Sequence, residues 1–556
     1  MRGIVSVILV GVLLAACGKK GGDEQPPGPT PVNFTTSSWS VNSIAGQTTY
    51  YNVSRTPVVK FRFGSAIDRN SVAANIVFKE NSGTPVNYNV SYESSDSVVV
   101  VQPAAPISYL KKYNVSVATL LRAKNGGTLI TGTDLTLVTI IDSSRKFPLL
   151  SDNALLDLVQ QQTFKYFWDF GHPVSGLARE RNSSGETITS GGSGFGIMAI
   201  VAGVSRGFKT RAEGLTRMQT IVGFLKNTAQ KFHGAFPHWL SGTAGTVLPF
   251  STKDNGADLV ETSYLMMGLL TARQYFNGAD PAETALRNDI NAIWNGVEWN
   301  WFRQNNQNVL YWHWSPNYNW EMNLPIKGWN ECLITYVLAA SSLNYSIPPV
   351  VYTSGWAGNG NNGFTNGNTF FGVQLPLGPS AGGPLFFEHY SFMGIKPTGL
   401  VDAYANYQAQ TTNHTLINYN YCVLNPQGHF GYSDSVWGLT ASDIPNGYTA
   451  SSPTNDIGVI APTAAISSLP YTPTQSMKAL KFFYYVLGDK LWGEYGFKDA
   501  FSLKDVWVAD SYLAIDQGPI MVMIENYRTG LLWNLFTSCP EVKAGMLSLG
   551  FTAPYL

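Results

Sequence analysis

The chain has 556 residues with 36 basic and 36 acidic side chains, so its formal net charge at pH 7 is zero. This balance excludes the basic surface of a nucleic-acid-binding protein and also an acidic interaction tail. Charged and aromatic residues each make up 13% of the chain, which predicts a large, loop-rich globular protein of more than one domain with a neutral ligand.

Residues 1–17 have the pattern of a targeting signal. Met1-Arg2 is a positive start, and the apolar run that follows is too short to span a bilayer. The run ends in Leu14-Ala15-Ala16-Cys17, which resembles a bacterial lipobox. We therefore expect cleavage before Cys17, acylation of its thiol and, since Gly18 follows, a lipid anchor in the outer membrane of a Gram-negative bacterium, on its periplasmic or cell-surface face. An ordinary secretory signal with a chance cysteine is the alternative.

Residues 18–36 are rich in Pro and Gly and predict a flexible linker. Residues 37–143 then show period-two alternation, as in Val59, Phe61 and Phe63, with turn residues between the runs. About seven short strands in this length predict a β-sandwich, and the segment resembles bacterial Ig-like modules. It contains one Trp and no His, so we expect a spacer rather than a site.

From residue 146 to residue 556 the alternation gives way to helical periodicity. The predicted helices are 153–169, 195–205, 211–226, 258–276, 283–294, 330–341, 474–488 and 519–535. The stretch from 345 to 465 is rich in Gly, Asn, Pro and aromatic residues, which predicts long functional loops. All seven His and fourteen of the fifteen Trp lie in this part, so the chemistry is expected here.

Three carboxylates surround the predicted start of the 258–276 helix. Asp254, Asp258 and Glu261 are spaced by four and three residues, so they would share one face of the first turns. A group of carboxylates there suits hydroxyl binding and proton transfer, and the helix dipole favours negative charge. The alternative is an N-cap at Asp254 followed by a solvated or capping pair.

Residues 311–331 form a Trp-rich run, YWHWSPNYNWEMNLPIKGWNE, with four Trp, two Tyr and two Glu. Aromatic rings beside carboxylates suit sugar recognition, whereas a Trp-rich packing loop is the alternative. Its last residue, Glu331, is expected to open a helix. Burial against Trp329 and apolar neighbours would raise the pKa of Glu331, as a general acid at neutral pH requires; a first-turn Glu that stabilises the helix dipole is the alternative.

Several other chemistries are disfavoured by the sequence. His233 and His238 flank a proline five residues apart, which is not a zinc spacing. The glycine run 192–196 lacks the residues that phosphate binding or a nucleophile elbow needs. Cys332, Cys422 and Cys539 have no metal-like spacing, so we expect buried free thiols. No metal and no cofactor are therefore predicted.

Residues 150–555 resemble glycoside hydrolase family 144, the bacterial glucoamylase-like domain. The resemblance rests on long stretches such as HPVSGLARER, FHGAFPHW, KDNGADLVET, LYWHWSPNYNWEMN, IKGWNECLITYVLAASS, GPLFFEHYSF and SPTNDIGVIAPTAA. It implies a mainly α protein, with an (α/α)6 toroid as catalytic domain after the all-β sandwich. It also implies hydrolysis of β-1,2-glucan or sophoro-oligosaccharides with inversion. The positions that match the family's active-site carboxylates are Asp254, Asp258, Glu261 and Glu331.

Roles follow from this resemblance together with glycosidase chemistry. We expect Glu331 to be the general acid and Asp258 or Asp254 the base, with Asp516 as a further candidate. Hydroxyl contacts are expected from Glu261, Arg179, His238, His313, Glu388 and His389, and stacking subsites from Trp239, Trp312, Trp314 and Trp320. The Trp-rich run should then be a subsite wall that faces residues 254–261.

The predicted protein is a monomer that binds a β-glucan. Two other function classes stay open at this point. One is a surface glycan-binding lipoprotein without catalysis, and the other is a glycosidase of the same fold that acts on another glucan. A polysaccharide lyase on a similar toroid fits poorly, because a neutral chain with a carboxylate-rich mouth does not suit uronic acids. The sequence does not distinguish endo from exo cleavage.

Overall fold

A computed structural model describes residues 30–556. The predicted signal peptide, Cys17 and linker residues 18–29 lie outside the described residues. The chain divides into two compact units, the first ending at Ile140 and the second comprising Ile141–Leu556. Within residues 30–556, no helix has both the length and the apolar character that crossing a membrane requires.

The first unit is a sandwich of two sheets. One sheet is antiparallel, with strands in the order Ile44–Ala45, Thr36–Val41, Val59–Phe63, Val98–Pro103 and Tyr88–Glu93. The other has the order Thr49–Val53, Thr133–Thr139, Lys112–Val117 and Ile76–Glu80, and its first pair is parallel. Alternating side chains such as Phe61, Val99, Val115 and Leu135 meet between the sheets and are fully buried. The predicted Ig-like sandwich is confirmed.

The second unit is helical, and its helices fall into two classes by burial. Three helices are buried on nearly all sides and form most of an inner ring: Ser190–Ser205, Leu259–Tyr275 and Ala514–Arg528. Shorter inner elements are Leu333–Ser341, the 3-10 turn Ser391–Met393 and Pro462–Ile466. The outer helices bury one face each: Asp152–Trp168, Arg211–Asn227, Pro281–Asn295, Tyr407–Leu424, Pro473–Tyr485, Leu531–Thr537 and Pro540–Ser548. This is the expected (α/α)6 toroid, because helices buried on nearly all sides need a surrounding layer of helices that expose their polar faces to water.

Short strand pairs lie between the helices of this unit, and several of them contribute residues to the cleft described below. A three-stranded sheet joins Thr187–Thr189, Trp239–Ser241 and Val247–Leu248. The two-stranded sheets are Ala257–Asp258 with His313–Trp314, Leu310–Tyr311 with Pro325–Ile326, Thr369–Phe370 with Val373–Gln374, Ala441–Ile444 with Gly447–Ala450, Trp492–Gly493 with Gly496–Phe497, and Phe501–Ser502 with Trp507–Val508.

The glycine run 192–196 lies inside a helix and not in a loop. The Ser190–Ser205 helix crosses the Leu259–Tyr275 helix at Gly194 and Gly268. A methyl group on Gly194 would overlap the backbone of Tyr264, and one on Gly268 would overlap the backbone of Gly194. Close packing therefore outweighs the low helix propensity of glycine, and the helix begins five residues before the predicted start.

Two other helix predictions were wrong. The stretch from 345 to 465, expected to be loops, contains the 18-residue helix Tyr407–Leu424 and a π-helical turn at Val351–Trp356. The predicted helix 519–535 is in fact two helices, Ala514–Arg528 and Leu531–Thr537, separated at Gly530, whose φ is +68°. The three described cysteines are buried free thiols, as expected.

Candidate active site

A cleft of about 450 Å³ lies in the helical unit, and several of these strand pairs contribute to its walls. It brings together five of the predicted residues: His238, Trp239, Glu261, Trp312 and Glu331. Side chains that the sequence did not single out complete its walls, among them Glu180, Arg181, Phe250, Tyr264, Phe386, Tyr390 and Tyr448. The cleft thus combines aromatic rings with a few carboxyl groups, as a neutral sugar ligand requires.

Asp258 is the N-cap of the Leu259–Tyr275 helix. Its Oδ1 accepts hydrogen bonds from the backbone N–H groups of Val260 at 3.0 Å and Glu261 at 2.9 Å. These bonds satisfy two of the free donors at the helix start. The alternative sequence interpretation placed the N-cap at Asp254. The structure places it at Asp258.

The other oxygen of Asp258 connects this helix to the Trp-rich run. Oδ2 accepts hydrogen bonds from His238 Nδ1 at 3.2 Å and from the indole N–H of Trp312 at 3.2 Å. His313 Nε2 lies 3.4 Å from the same atom. Since Ala257–Asp258 also pairs with His313–Trp314 as a strand, the Trp-rich run faces residues 254–261, as expected.

Charge in this network is shared between two carboxylates and two imidazoles. Burial alone would raise the pKa of Asp258, but hydrogen bonds from His238 and His313 hold it below its ordinary value. Burial likewise opposes charged imidazoles, but Glu261 and Asp258 raise the pKa of His238 to about 9. Asp254 and Asp258 raise the pKa of His313 to about 10. At neutral pH both imidazoles are therefore cationic and Asp258 is ionised.

Asp254 lies behind this network. Its Oδ2 is 3.2 Å from His313 Nε2, while its Oδ1 is buried without a hydrogen-bond partner. Asp254 and Asp258 are 4% and 0% exposed and do not line the cleft. His313 also lies behind the wall formed by Trp312.

Glu261 reaches the cleft from the first turn of the same helix. Its Oε2 accepts a hydrogen bond from the backbone N–H of Gly191 at 2.8 Å, and the hydroxyl of Thr189 is 3.4 Å away. Burial, followed by the charges of Asp258 and Asp254, raises the pKa of Glu261. Glu261 lines the cleft and can accept a hydrogen bond from a sugar hydroxyl.

Glu331 is half-buried in the cleft wall, two residues before the helix Leu333–Ser341. Its backbone carbonyl accepts a hydrogen bond from the hydroxyl of Ser391, which fixes the end of the Trp-rich run. Burial, with a smaller effect from the charges of Glu261 and Asp258, raises the pKa of Glu331 to about 7. The predicted rise is therefore found, and a large fraction of Glu331 carries a proton at neutral pH.

Asp516 forms a second pair of carboxyl groups with Asp499, apart from the network around Asp258. Asp516 directly follows Ile515, which lines the cleft, and its carboxyl group interacts with that of Asp499. Burial and the charge of Asp499 raise the pKa of Asp516 well above its ordinary value, and burial raises the pKa of Asp499 to about 7. One buried oxygen of each, Asp516 Oδ2 and Asp499 Oδ1, has no partner. The pair can therefore share a proton.

Three predicted contact residues hold the walls from outside the cleft. Arg179 donates to the carbonyls of Gly185 and Phe170 at 2.9 and 2.6 Å. The ring of Trp314 lies edge-on to His233, with centroids 5.2 Å apart. Trp320 packs among Phe302, Tyr311 and Trp301. None of the three is among the residues that line the cleft. Each side chain packs against or bonds to neighbouring segments instead.

Glu388 and His389 also lie behind the cleft. Glu388 is fully buried, and its Oε1 accepts hydrogen bonds from Trp329 at 3.0 Å, Gln410 at 2.8 Å and His414 at 2.9 Å. His389 bonds to the hydroxyl of Ser468 at 3.0 Å, and burial lowers the pKa of His389 to about 3. Glu388 supports Trp329, which comes two residues before Glu331, and neither Glu388 nor His389 lines the cleft.

Among the described residues, one group of side chains has the spacing of a metal site. Ligand atoms of His238, Asp254 and Asp258 all lie within 4.8 Å of one another. The same atoms are joined by the hydrogen bonds and ion pairs already described, and protonated imidazoles do not bind a metal. The predicted absence of a metal stays a prediction.

Two family models match the chain. One, described as "Putative glucoamylase", covers residues 323–540, and the other, described as "Bacterial Ig-like domain", covers residues 35–137. The first spans part of the helical unit, including Glu331 and Asp516, and the second spans nearly all of the sandwich.

Relatives of known activity and structure cover more of the chain. An exo β-1,2-glucooligosaccharide sophorohydrolase (non-reducing end) from Parabacteroides distasonis is 49% identical over 424 residues, which are 73% of this chain and 58% of that protein. The chain thus matches little more than half the length of this curated relative.

Two solved structures are similar along most of their length. An endo-β-1,2-glucanase from Chitinophaga pinensis, in complex with sophorotriose and glucose, is 51% identical, with 73% of this chain and 100% of that one covered and a TM-score of 0.72. A β-1,2-glucanase from Parabacteroides distasonis is 39% identical, with 94% of this chain and 74% of that one covered and a TM-score of 0.70.

Proposed function

We propose that this chain, which belongs to glycoside hydrolase family 144, hydrolyses β-1,2-glucan or its sophoro-oligosaccharides with inversion at the anomeric carbon. The relatives named above act on β-1,2-linked glucans, and the cleft combines aromatic walls with carboxyl groups suited to such a ligand. A glycan-binding protein without catalysis does not need a carboxyl group poised to donate a proton near pH 7, and this cleft has one.

The observation that carries the proposal is the place of Glu331 in the cleft wall, where burial raises its pKa. Its pKa of about 7 lets it donate a proton at neutral pH to the glycosidic oxygen that leaves. Its position in the cleft wall beside Trp312 and Glu261 puts that proton where a bound sugar would lie. We therefore assign Glu331 as the general acid.

Inversion requires a second group that takes a proton from water. Glu331 donates its proton to the leaving oxygen as the bond from that oxygen to the anomeric carbon breaks. A water attacks the opposite face of that carbon and gives a proton to the base, so a new hydroxyl forms with inverted configuration. Glu261 and His238, which line the cleft, would hold sugar hydroxyls, and Trp239 and Trp312 would stack on the rings.

The three predicted bases, Asp254, Asp258 and Asp516, differ in whether a carboxylate oxygen is left without a hydrogen-bond partner. Both oxygens of Asp258 already accept hydrogen bonds, so we assign it to holding His238, His313 and Trp312 in place. Asp254 and Asp516 each keep one oxygen without a partner. We propose that the base is one of these two. Azide should restore activity to the Ala variant of the true base by attacking in place of water, and to neither of the other Asp variants.

Product analysis on linear β-1,2-glucan tests the proposed function. We expect new reducing ends, and the first product formed should carry the α-anomer when followed by NMR within the first minutes. The same time course separates endo from exo cleavage, since long oligosaccharides appear first in endo and sophorose alone in exo. Absence of new reducing ends on β-1,2-glucan, or first release of the β-anomer, would contradict the proposal.

We also propose that the mature protein begins at Cys17 and is anchored by lipid in the outer membrane. The supporting feature is the sequence Leu14-Ala15-Ala16-Cys17 followed by Gly18. Metabolic labelling with an alkyne fatty acid should mark the wild-type protein and leave the Cys17→Ala variant unlabelled. Equal labelling of both would contradict the anchor.

A further inference from the structure

A second pocket of about 570 Å³ adjoins the cleft. Arg181 and Tyr448 line both cavities, so the two cavities adjoin at these side chains. Asn182, Trp507 and Asp510 are among the residues on its far side. We call it the distal pocket. A linear ligand that extends from the cleft past Tyr448 would enter it.

Trp507 has the features of a sugar-stacking platform. It is half-buried at the wall of the distal pocket. All fifteen tryptophans belong to the part of the chain that the structure describes. In that part, Trp507 is the tryptophan whose side chain makes neither a hydrogen bond nor a ring contact, whereas the indole of Trp312, for example, donates to Asp258. An indole left without partners offers its ring face and its N–H to a ligand.

The hairpin that carries Trp507 is held in an unusual conformation. Trp507–Val508 pairs with Phe501–Ser502, and the turn residue Val506 has a φ of +52°. A β-branched residue rarely adopts positive φ, and such strain is concentrated at functional sites. The hydroxyl of Ser502 donates to Asp505 Oδ2 at 2.9 Å and stabilises the turn. Trp507 is thus presented on a constrained hairpin.

Arg181 offers a hydrogen-bond donor at the boundary between the two cavities. Its Nε lies 3.0 Å from Glu180 Oε2 and its Nη1 lies 3.1 Å from Asp443 Oδ2. Among the described residues, no acceptor bonds to its Nη2. Two carboxylates therefore fix the guanidinium, while one N–H group can donate to a sugar hydroxyl.

We propose that the distal pocket is a glucosyl-binding subsite continuous with the catalytic cleft, with Trp507 stacked on a sugar ring. This inference rests on the proposed function and deepens it. It assigns to the enzyme a preference for chains longer than the cleft alone accommodates, and it leaves the cleft open at the Tyr448 side. The ligand class is the neutral β-1,2-linked glucan itself.

Kinetics on β-1,2-glucooligosaccharides of increasing length test the subsite. In the full-length wild-type protein, kcat/KM should rise with length until the distal pocket is filled. The Trp507→Ala variant should lose about tenfold in kcat/KM on the longest oligosaccharides, equivalent to about 1.4 kcal/mol. It should keep wild-type values on the shortest one cleaved. Trp507→Phe retains a ring and should stay near wild type on all lengths.

The matched control is Trp301→Ala. Trp301 is 40% exposed, stacks on His233 at 3.9 Å and lines neither cavity. It should not change the dependence on length. If the wild type cleaves β-1,2-glucan but Trp507→Ala loses kcat/KM equally on all lengths, or on none, the subsite is overturned. A wild type that does not cleave β-1,2-glucan would instead contradict the proposed function.

Discussion

Asp258 and Glu331 are two carboxyl groups whose surroundings shift their pKa values in opposite directions. Two imidazoles, an indole and two backbone N–H groups surround Asp258 and keep it ionised. Glu331 is half-buried near other negative charges, and both effects raise its pKa to about 7. This separation is the usual basis for dividing acid and charge-stabilising roles within one site.

The pH dependence of the wild-type enzyme should report on Glu331. Because the raised pKa keeps the acid protonated below about pH 7, kcat/KM should fall as the pH rises through this value. Initial rates on β-1,2-glucan between about pH 5 and pH 9 check this expectation. A kcat/KM that stays constant across the neutral range would show that another group donates the proton.

Removal of Asp258 should cost more stability than removal of an ordinary N-cap. Asp280 makes the same two backbone bonds at the start of the Pro281–Asn295 helix but is exposed, so Asp280→Ala should lose about 1 kcal/mol. Asp258→Ala also takes the hydrogen-bond acceptor from His238 and from the Trp312 indole and leaves His313 with Asp254 alone. It should therefore lose about 3–5 kcal/mol. Calorimetric unfolding of both variants makes the comparison, and equal losses would contradict the network.

At the residue scale, the sequence identified the carboxylates and the Trp-rich run but not the opposite wall. Asp254, Asp258 and Glu261 are close in the chain, and their spacing predicted one helix face. The helix begins at Leu259, so only Glu261 lies within it and the shared face was wrong for Asp254. Arg181 and Asp443 are separated by 262 positions and meet only through the toroid. Tyr448 lies on a short hairpin, and nothing in the local sequence indicates that its side chain lines a cleft. A single sequence contains no pattern that pairs such distant residues.

At the element scale, close packing of inner helices explains where helix prediction failed. Polar residues are buried in the Tyr407–Leu424 helix, among them Gln410, His414 and Asn418. Each bonds to a partner elsewhere in the fold, such as Glu388 for His414. The expected apolar period is therefore absent, although the helix is regular. Helices with a clear apolar period, such as Pro281–Asn295, were predicted within one or two residues.

The crossing of the two inner helices predicts a strong penalty at Gly268. A methyl group there would overlap the backbone of Gly194, which cannot move without shifting its helix. Gly268→Ala should therefore destabilise the protein by about 3 kcal/mol or somewhat more. Gly223→Ala is the matched control, because its added methyl group meets no atom within 4 Å, and it should gain up to about 1 kcal/mol. Melting temperatures check both, and a neutral Gly268→Ala would contradict the crossing.

At the scale of the whole molecule, the two units have different roles. All eighteen residues that line the cleft belong to the unit Ile141–Leu556. A chain that starts at Ile141 should therefore keep the wild-type kcat/KM on soluble β-1,2-glucan. Parallel assays of the shortened and full-length proteins check this, with circular dichroism as the control for folding. A large loss in a folded shortened protein would give the sandwich a part in catalysis.

The central claim is that the cleft hydrolyses β-1,2-glucan with Glu331 as the proton donor. Glu331→Gln keeps the size and hydrogen-bonding capacity of the side chain but removes the proton that it donates. The most direct test is the rate of reducing-end release from linear β-1,2-glucan by this variant and by the wild type, at equal melting temperature. We predict a loss of at least about a hundredfold in kcat; a variant with near-wild-type kcat would contradict the claim.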